Sequence, residues 1–265
     1  MCIAYLALNT HPDWPLLVAA NRDEFHARPA RPAGPWAGHP DVIAGIDLDA
    51  GGTWLGVTRQ GRFGFLTNYR EPGTHIDNAP SRGALVSDYL TASTDPVAYA
   101  SQVSHRADAY NGFNLIVGNL NTACYLSNRA PNRTPLTLGP GRYVVSNHLL
   151  DTPWPKAERL RQAFEQIDMD GLTRSLRIVF ATLKDTTAAD DASLPDTGLD
   201  KTLERLLSSP FIISPDYGTR CSSVIAIHRS GRALFSEISY DPQGRETQRH
   251  DWPFSVNPAP EYCPA

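Results

Sequence analysis

The chain has 265 residues, 41% hydrophobic and 20% charged, with 24 Lys and Arg against 28 Asp and Glu. The formal net charge of -4 argues against nucleic acid or an anionic membrane surface as the main partner. No apolar run reaches the ~18 residues of a membrane span, and the start lacks the basic region and long apolar core of a secretory signal. The expectation is a cytoplasmic protein without an integral membrane segment.

In chain order, CIAYLAL and PLLVAANRD predict two strands joined by the turn NTHPDW. ARPARPAGPWAGHP is rich in Pro and Gly and reads as loop. DVIAGIDLDAGGTWLGVTRQGRFGFLTNY predicts three strands, with a tight turn at Gln60-Gly61. SRGALVSDYL predicts a helix capped by Ser81, and DPVAYASQVSHRADAY a second, capped by Asp95 with Pro96 in its first turn. FNLIVGNL, TACYLSN and GRYVVSN return to strands. TPWPKAERLRQAFEQI is an amphipathic helix with Ala157, Leu160, Phe164 and Ile167 on one stripe, and DGLTRSLRIVFATLKD is also helical. An acidic loop, TTAADDASLPDTGLD, leads into the short helix LDKTLERLLSSPF. CSSVIAIHRSGRALFSEISYD predicts a hairpin turning at Ser230-Gly231. The order strands, helices, strands, helices, strands is not the alternation of a doubly wound sheet. It fits antiparallel sheets packed face to face with helices outside, in a single domain over residues 1–265.

Four cysteines, Cys2, Cys124, Cys221 and Cys263, form no CxxC pair, and no His/Cys cluster has zinc spacing. Neither a metal site nor a disulfide framework is expected. Cys2 stands apart by position. Were Met1 removed, one residue would carry a nucleophilic thiol and an α-amine of pKa near ~8, low enough to accept the thiol proton. The alternative is a small apolar filler at the start of a buried strand.

The tetrad Asn21, Arg22, Asp23 and Glu24 ends an apolar strand. Alternation puts Asn21 and Asp23 on one face and Arg22 and Glu24 on the other. Asp23 or Arg22 could lie beside the strand that starts with Cys2; a solvated strand end is the other reading. LTNYREPG and VVSNHLLDTPW each end a strand in an asparagine, Asn68 and Asn147. An amide or main-chain N–H there could hold an oxyanion, although such residues also serve as turns and caps. Arg220 in YGTRCSSV could recognise a carboxylate or be an ordinary surface arginine. His148, beside Asn147, is the one histidine placed to interest a haem or metal reading.

NRDE behind MCIAYLA, then SNHLLDTPWPK and YGTRCSSV, resembles the NRDE family, the relatives of the transport and Golgi organisation 2 proteins. The resemblance runs in order from Met1 to about Tyr240. More widely the chain resembles N-terminal nucleophile hydrolases, nearest the cysteine branch with penicillin V acylase and bile salt hydrolase. This resemblance implies an α+β fold, a four-layer αββα sandwich. It implies Cys2 as nucleophile, Asp23 as the carboxylate near the amine, and Asn68 and Asn147 around the oxyanion. It also implies an arginine on the following helix, Arg161 or else Arg159. Arg22, Tyr69 and Arg220 are the candidates expected toward the substrate. The acylases carry an arginine three residues ahead of the aspartate, where this chain has Ala20. That leaves open whether Arg22 supplies the charge or the activity differs.

Two functions follow as expectations. One is a cofactor-free amidohydrolase cleaving a non-peptide amide of a small molecule after Met1 removal. The other is a non-enzymatic carrier of haem or a lipid in the same cleft, with haem as ligand rather than cofactor. The loops at 26–41 and 185–200 are expected to border that cleft. A homo-oligomer stays open.

Overall fold

The computed structural model of the chain describes residues 2–168 and 172–256. Cys263 and residues 170–171, the expected start of the second long helix, lie outside them. Among the described residues, thirteen strands form two antiparallel sheets. In the first, the order is β10 (Gly141–Val145), β1 (Cys2–Leu8), β2 (Leu16–Phe25), β11 (Tyr217–Ile227), β12 (Arg232–Tyr240) and β13 (Glu246–Ser255). In the second it is β3 (Ala30–Trp36), β4 (His39–Asp47), β5 (Leu55–Thr58), β6 (Phe63–Asn68), β7 (Phe113–Gly118), β8 (Ala123–Ser127) and β9 (Leu136–Leu138).

Strand alternation divides the apolar residues among three cores. Ala4, Leu6, Val18, Ile225 and Phe235 meet Ile43, Val57, Phe65 and Ile116 between the sheets. The opposite face of the first sheet, with Ile3, Tyr5, Ala19 and Val224, is covered by α3 (Pro155–Glu165) and α4 (Leu172–Leu183). The outer face of the second sheet is covered by α1 (Arg82–Thr91) and α2 (Pro96–Ser104). The result is the four-layer αββα sandwich that the resemblance implies. The stripe Ala157, Leu160 and Phe164 is buried as its spacing predicts, and the Tyr5 and Phe164 rings stack at 4.3 Å.

Several elements differ from expectation. ARPARPAGPWAGHP is not loop; it forms β3 and the start of β4. Its prolines are tolerated because β3 is an edge strand, and the β3–β4 ladder slips between Arg31 and Gly34 and between Pro35 and Trp36. Strands β9 and β13, both at edges, have too little apolar alternation to be read; β13 is exposed along most of its length. Helix α2 stops at Ser104 and yields to a short 3-10 turn at Ala107–Ala109. Asp95 caps α2 by accepting from the N–H groups of Val97 and Ala98. Ser81 makes no such cap: its hydroxyl donates to the Gly51 carbonyl, tying α1 to the loop before β5.

The inter-sheet core is the largest of the three clusters among the described residues. Phe235 is fully buried there. Phe235→Ala is expected to cost about 3–5 kcal/mol in urea unfolding through lost burial and the cavity left behind.

Candidate functional site

Cys2 opens β1, half-buried, directly opposite Arg22 of β2. Two positions on, Ala4 lies in the inter-sheet core, so Cys2 and its partner Arg22 face the gap between the sheets. Arg22 in turn pairs with Cys221 of β11. The next pair, Asp23 with Thr219, is separated from it by a bulge at Arg220. The bulge lets the Thr219 hydroxyl donate to Asp23 Oδ1 at 2.7 Å while Cys221 stays beside Arg22. Burial pushes the Cys2 thiol up, partly offset by the Asp23 main-chain N–H and the Arg22 guanidinium. Burial also raises the Asp23 carboxyl, against the pull of Lys156 and Thr219.

Arg22 is locked in place. Its guanidinium lies 4.3 Å from the Trp54 ring centroid and 3.3 Å from Asp47 Oδ2. Trp54 can lie there because Gly45 has no side chain; a Cβ at Gly45 would sit 2.3 Å from the indole.

The end of the first sheet is stitched to the end of the second. Asn147, just past β10 and fully buried, donates from Nδ2 to the Asn68 carbonyl at the end of β6 at 3.1 Å. The Arg70 N–H donates to the Asn147 carbonyl at 2.7 Å. Ser146 Oγ donates to the Cys2 carbonyl at 3.0 Å, which fixes the first residue of β1. Asn147 Oδ1 accepts from Lys156 Nζ at 3.1 Å. Lys156 is 1% exposed at the start of α3, and burial, then the nearby Arg70, pushes its ammonium down to about 7. Arg70 is buried too, paired with Glu204 at 2.5 Å and lying 4.9 Å from the Trp154 ring. Glu204 also binds Thr197, so the segment 185–200 reaches the cluster through this carboxylate.

Of the residues singled out in the sequence, the structure gathers Cys2, Arg22, Asp23, Asn68 and Asn147 at one end of the sandwich. Tyr69 is adjacent, its ring 5.0 Å from that of His148. His148 bonds Thr152 Oγ1 at 2.9 Å, and burial lowers its pKa, which favours the neutral ring. Arg220 Nη1 donates to the carbonyls of Phe25 and Arg28 at 2.8 and 3.0 Å. Arg161 is a correction. It pairs with Asp151 and donates to the Arg142 carbonyl, opposite Ala7 and toward the far end of β1 from Cys2. The reason is helix rise: α3 meets Asn147 at Lys156, and Arg161 is already about 7 Å further along. The alternative Arg159 turns outward to Asp185. No cluster of three His, Cys, Asp or Glu suited to a metal exists among the described residues.

Lys156, Arg70, Glu204, Thr219 and Trp54 were not singled out from sequence. Lys156 left a signal. It shares the 156, 160, 164 spacing of the buried stripe, and a cation in the first turn of a helix opposes the helix dipole. Arg70 and Glu204 lie 134 residues apart and left none.

The depressed Lys156 pKa has a defined sign in stability. Between about 7 and its ordinary value of 10.5 the unfolded chain holds the proton and the folded chain does not. Stability from this group therefore rises with pH across that window, by up to about 1.4 kcal/mol per pH unit. Lys156→Met is expected to remove this slope, read as the difference between wild-type and variant unfolding free energies from pH 7 to 10.

Among solved structures, the chain is similar to a Caenorhabditis elegans N-acylethanolamine-hydrolyzing acid amidase ortholog, at 12% identity and a TM-score of 0.41, over 84% of this chain and 92% of that one. It is also similar to a mutant conjugated bile acid hydrolase from Clostridium perfringens, at 9% identity and a TM-score of 0.39, over 99% of each. The sequence is 37% identical over 274 residues to the Transport and Golgi organization protein 2 homolog of Bos taurus, covering 95% of this chain and 99% of that protein. It is 35% identical over 259 residues to the homolog of Homo sapiens, covering 90% and 93%. With the family model for Transport and Golgi organisation 2 matching residues 1–242 as well, the chain belongs to that family.

Proposed function

We propose that the protein is an N-terminal cysteine amidohydrolase acting on a non-peptide amide once Met1 has been removed. The observation that carries this reading is the convergence of Cys2, Asp23 and Asn147 at one end of the sandwich, with Asn147 oriented by Lys156. The thiol proton passes to the Cys2 α-amine, and the thiolate forms a C–S bond to the amide carbonyl carbon. Asn147 and an N–H at Asn68 hold the oxyanion. On collapse the C–N bond breaks and the ammonium returns the proton to the leaving nitrogen. Water, deprotonated by the same amine, attacks the thioester; the acid leaves and the thiol is restored. Asp23, held by Thr219, orients the amine. Arg22 and Arg220 contact the substrate, with Tyr69 at its edge.

A second reading, a non-enzymatic carrier of haem or a lipid in the same cleft, needs no activated thiol, and burial favours the neutral form of Cys2. A thiol held in its neutral form without an adjacent amine is a weak nucleophile. The two readings separate on one residue. The form lacking Met1 is expected to gain a single acyl adduct from a β-lactone probe, read by intact mass, while Cys2→Ala and a form retaining Met1 gain none. Equal labelling of all three would sink the amidohydrolase. Saturable binding in a micromolar haem titration of the unlabelled protein would then favour the carrier.

A further inference from the structure

A cavity of about 310 Å3 is lined in part by Arg22, the cross-strand partner of Cys2. Arg22, Cys221 and Glu237 line it from the first sheet, and Arg31 and Trp54 from the second, with Arg220 at the bulge. Its volume is near the lower end for small-molecule sites. Arg22, Cys221 and Glu237 are each at most 5% exposed, so its walls are part of the packed interior.

The charge in these walls is lopsided. Arg22 shares Asp47 with Arg28. Arg220 has no carboxylate partner among the described residues; Nη1 is spent on two main-chain carbonyls, which aims the guanidinium while leaving Nε and Nη2 without a described partner. Arg31 is exposed and makes no ion pair among the described residues. The acid in the wall, Glu237, is already engaged: Oε1 accepts from the Ala33 N–H and Oε2 from the Ser223 hydroxyl, both at 2.7 Å. Its cross-strand neighbour on β13 is His250. Three guanidiniums thus converge on a space whose one carboxyl is turned to other partners. Guanidinium forks match planar oxyanions, and the Trp54 ring and Cys221 thiol supply an apolar wall.

We infer that this cavity binds an organic ligand bearing an oxyanion group, held by Arg220 and Arg31 with Arg22 at its inner end. The orientation of that ligand rests on the amidohydrolase reading: Arg22 lies directly opposite Cys2, so the uncharged end would extend past Arg22 toward the thiol. Binding itself does not depend on that reading.

The test uses full-length Cys2→Ala protein, which cannot turn over a probe, and isothermal calorimetry. N-hexanoylglycine is expected to bind at least ten-fold more tightly than its neutral amide, N-hexanoylglycinamide. Arg31→Gln should weaken the acid several-fold and Arg220→Gln at least ten-fold, with Arg220→Lys recovering part. Should Arg220→Gln fail to fold, the exposed Arg31 keeps the test intact. Inorganic phosphate should displace the acid only at ten-fold or greater excess; displacement at equal concentration overturns the organic ligand. Equal binding of acid and amide, or no change in either Gln variant, overturns the site. Acid-selective binding, with no β-lactone acylation of the Cys2 form lacking Met1, would keep the site and remove the hydrolase, whereas that acylation without acid preference would do the reverse.

Discussion

The carboxamide of Asn147 is the joint on which the candidate site depends. Its nitrogen donates to a carbonyl of the second sheet, its oxygen accepts from a lysine of the helical layer, and its own carbonyl accepts from the N–H after β6. Three layers therefore meet at one residue that is fully buried. Because Lys156 can only donate, it fixes which end of the amide is oxygen. The carboxamide is therefore held in one orientation by partners from two other layers.

Around that joint lie Asp23, Lys156, Arg70 and Glu204, two acids and two bases, all within 8% exposure. Such groups cost more to desolvate than their mutual attraction returns unless the geometry is tight. The chain holds them in place with neutral donors and acceptors: Thr219 on Asp23, Thr197 on Glu204, Asn147 on Lys156. The lysine is the variable member. With its pKa near 7, modest changes around it decide whether the cluster carries one more positive charge.

Much of the architecture was legible because it follows from period and punctuation. The stripe of α3, the Asp95-Pro96 start of α2 and the turn at Gly231 are local signals that tertiary structure leaves in place. The family motifs pointed to Cys2, Asp23 and Asn147, and strand register explains how they meet. What escaped notice needed distance or contradiction to be seen. β3 has a loop's composition and is a strand only because an edge tolerates proline. Arg70 finds Glu204 across 134 residues, which no spacing rule reaches. Arg161 has the right residue type on the right helix, yet helix rise carries it away from the thiol, and the cation that does face Asn147 is the lysine at that helix's first turn.

The bulge at Arg220 works like a change of reading frame. In an unbroken strand Thr219 and Cys221 would point the same way; one additional residue sends the hydroxyl to the helical side and the thiol to the inter-sheet side. The two consecutive residues of β2 at this point, a carboxylate on one face and a guanidinium on the other, are each met by chemistry that suits them because the bulge absorbs the residue between Thr219 and Cys221. A chain lacking that single residue would form a regular ladder with the same faces, whereas one that kept it in an unbroken strand would exchange the faces of everything on the Tyr217 side. Here the way one segment is counted against its neighbour, rather than its composition, decides which side chains meet the Asp23 face of the sheet and which meet the Arg22 face.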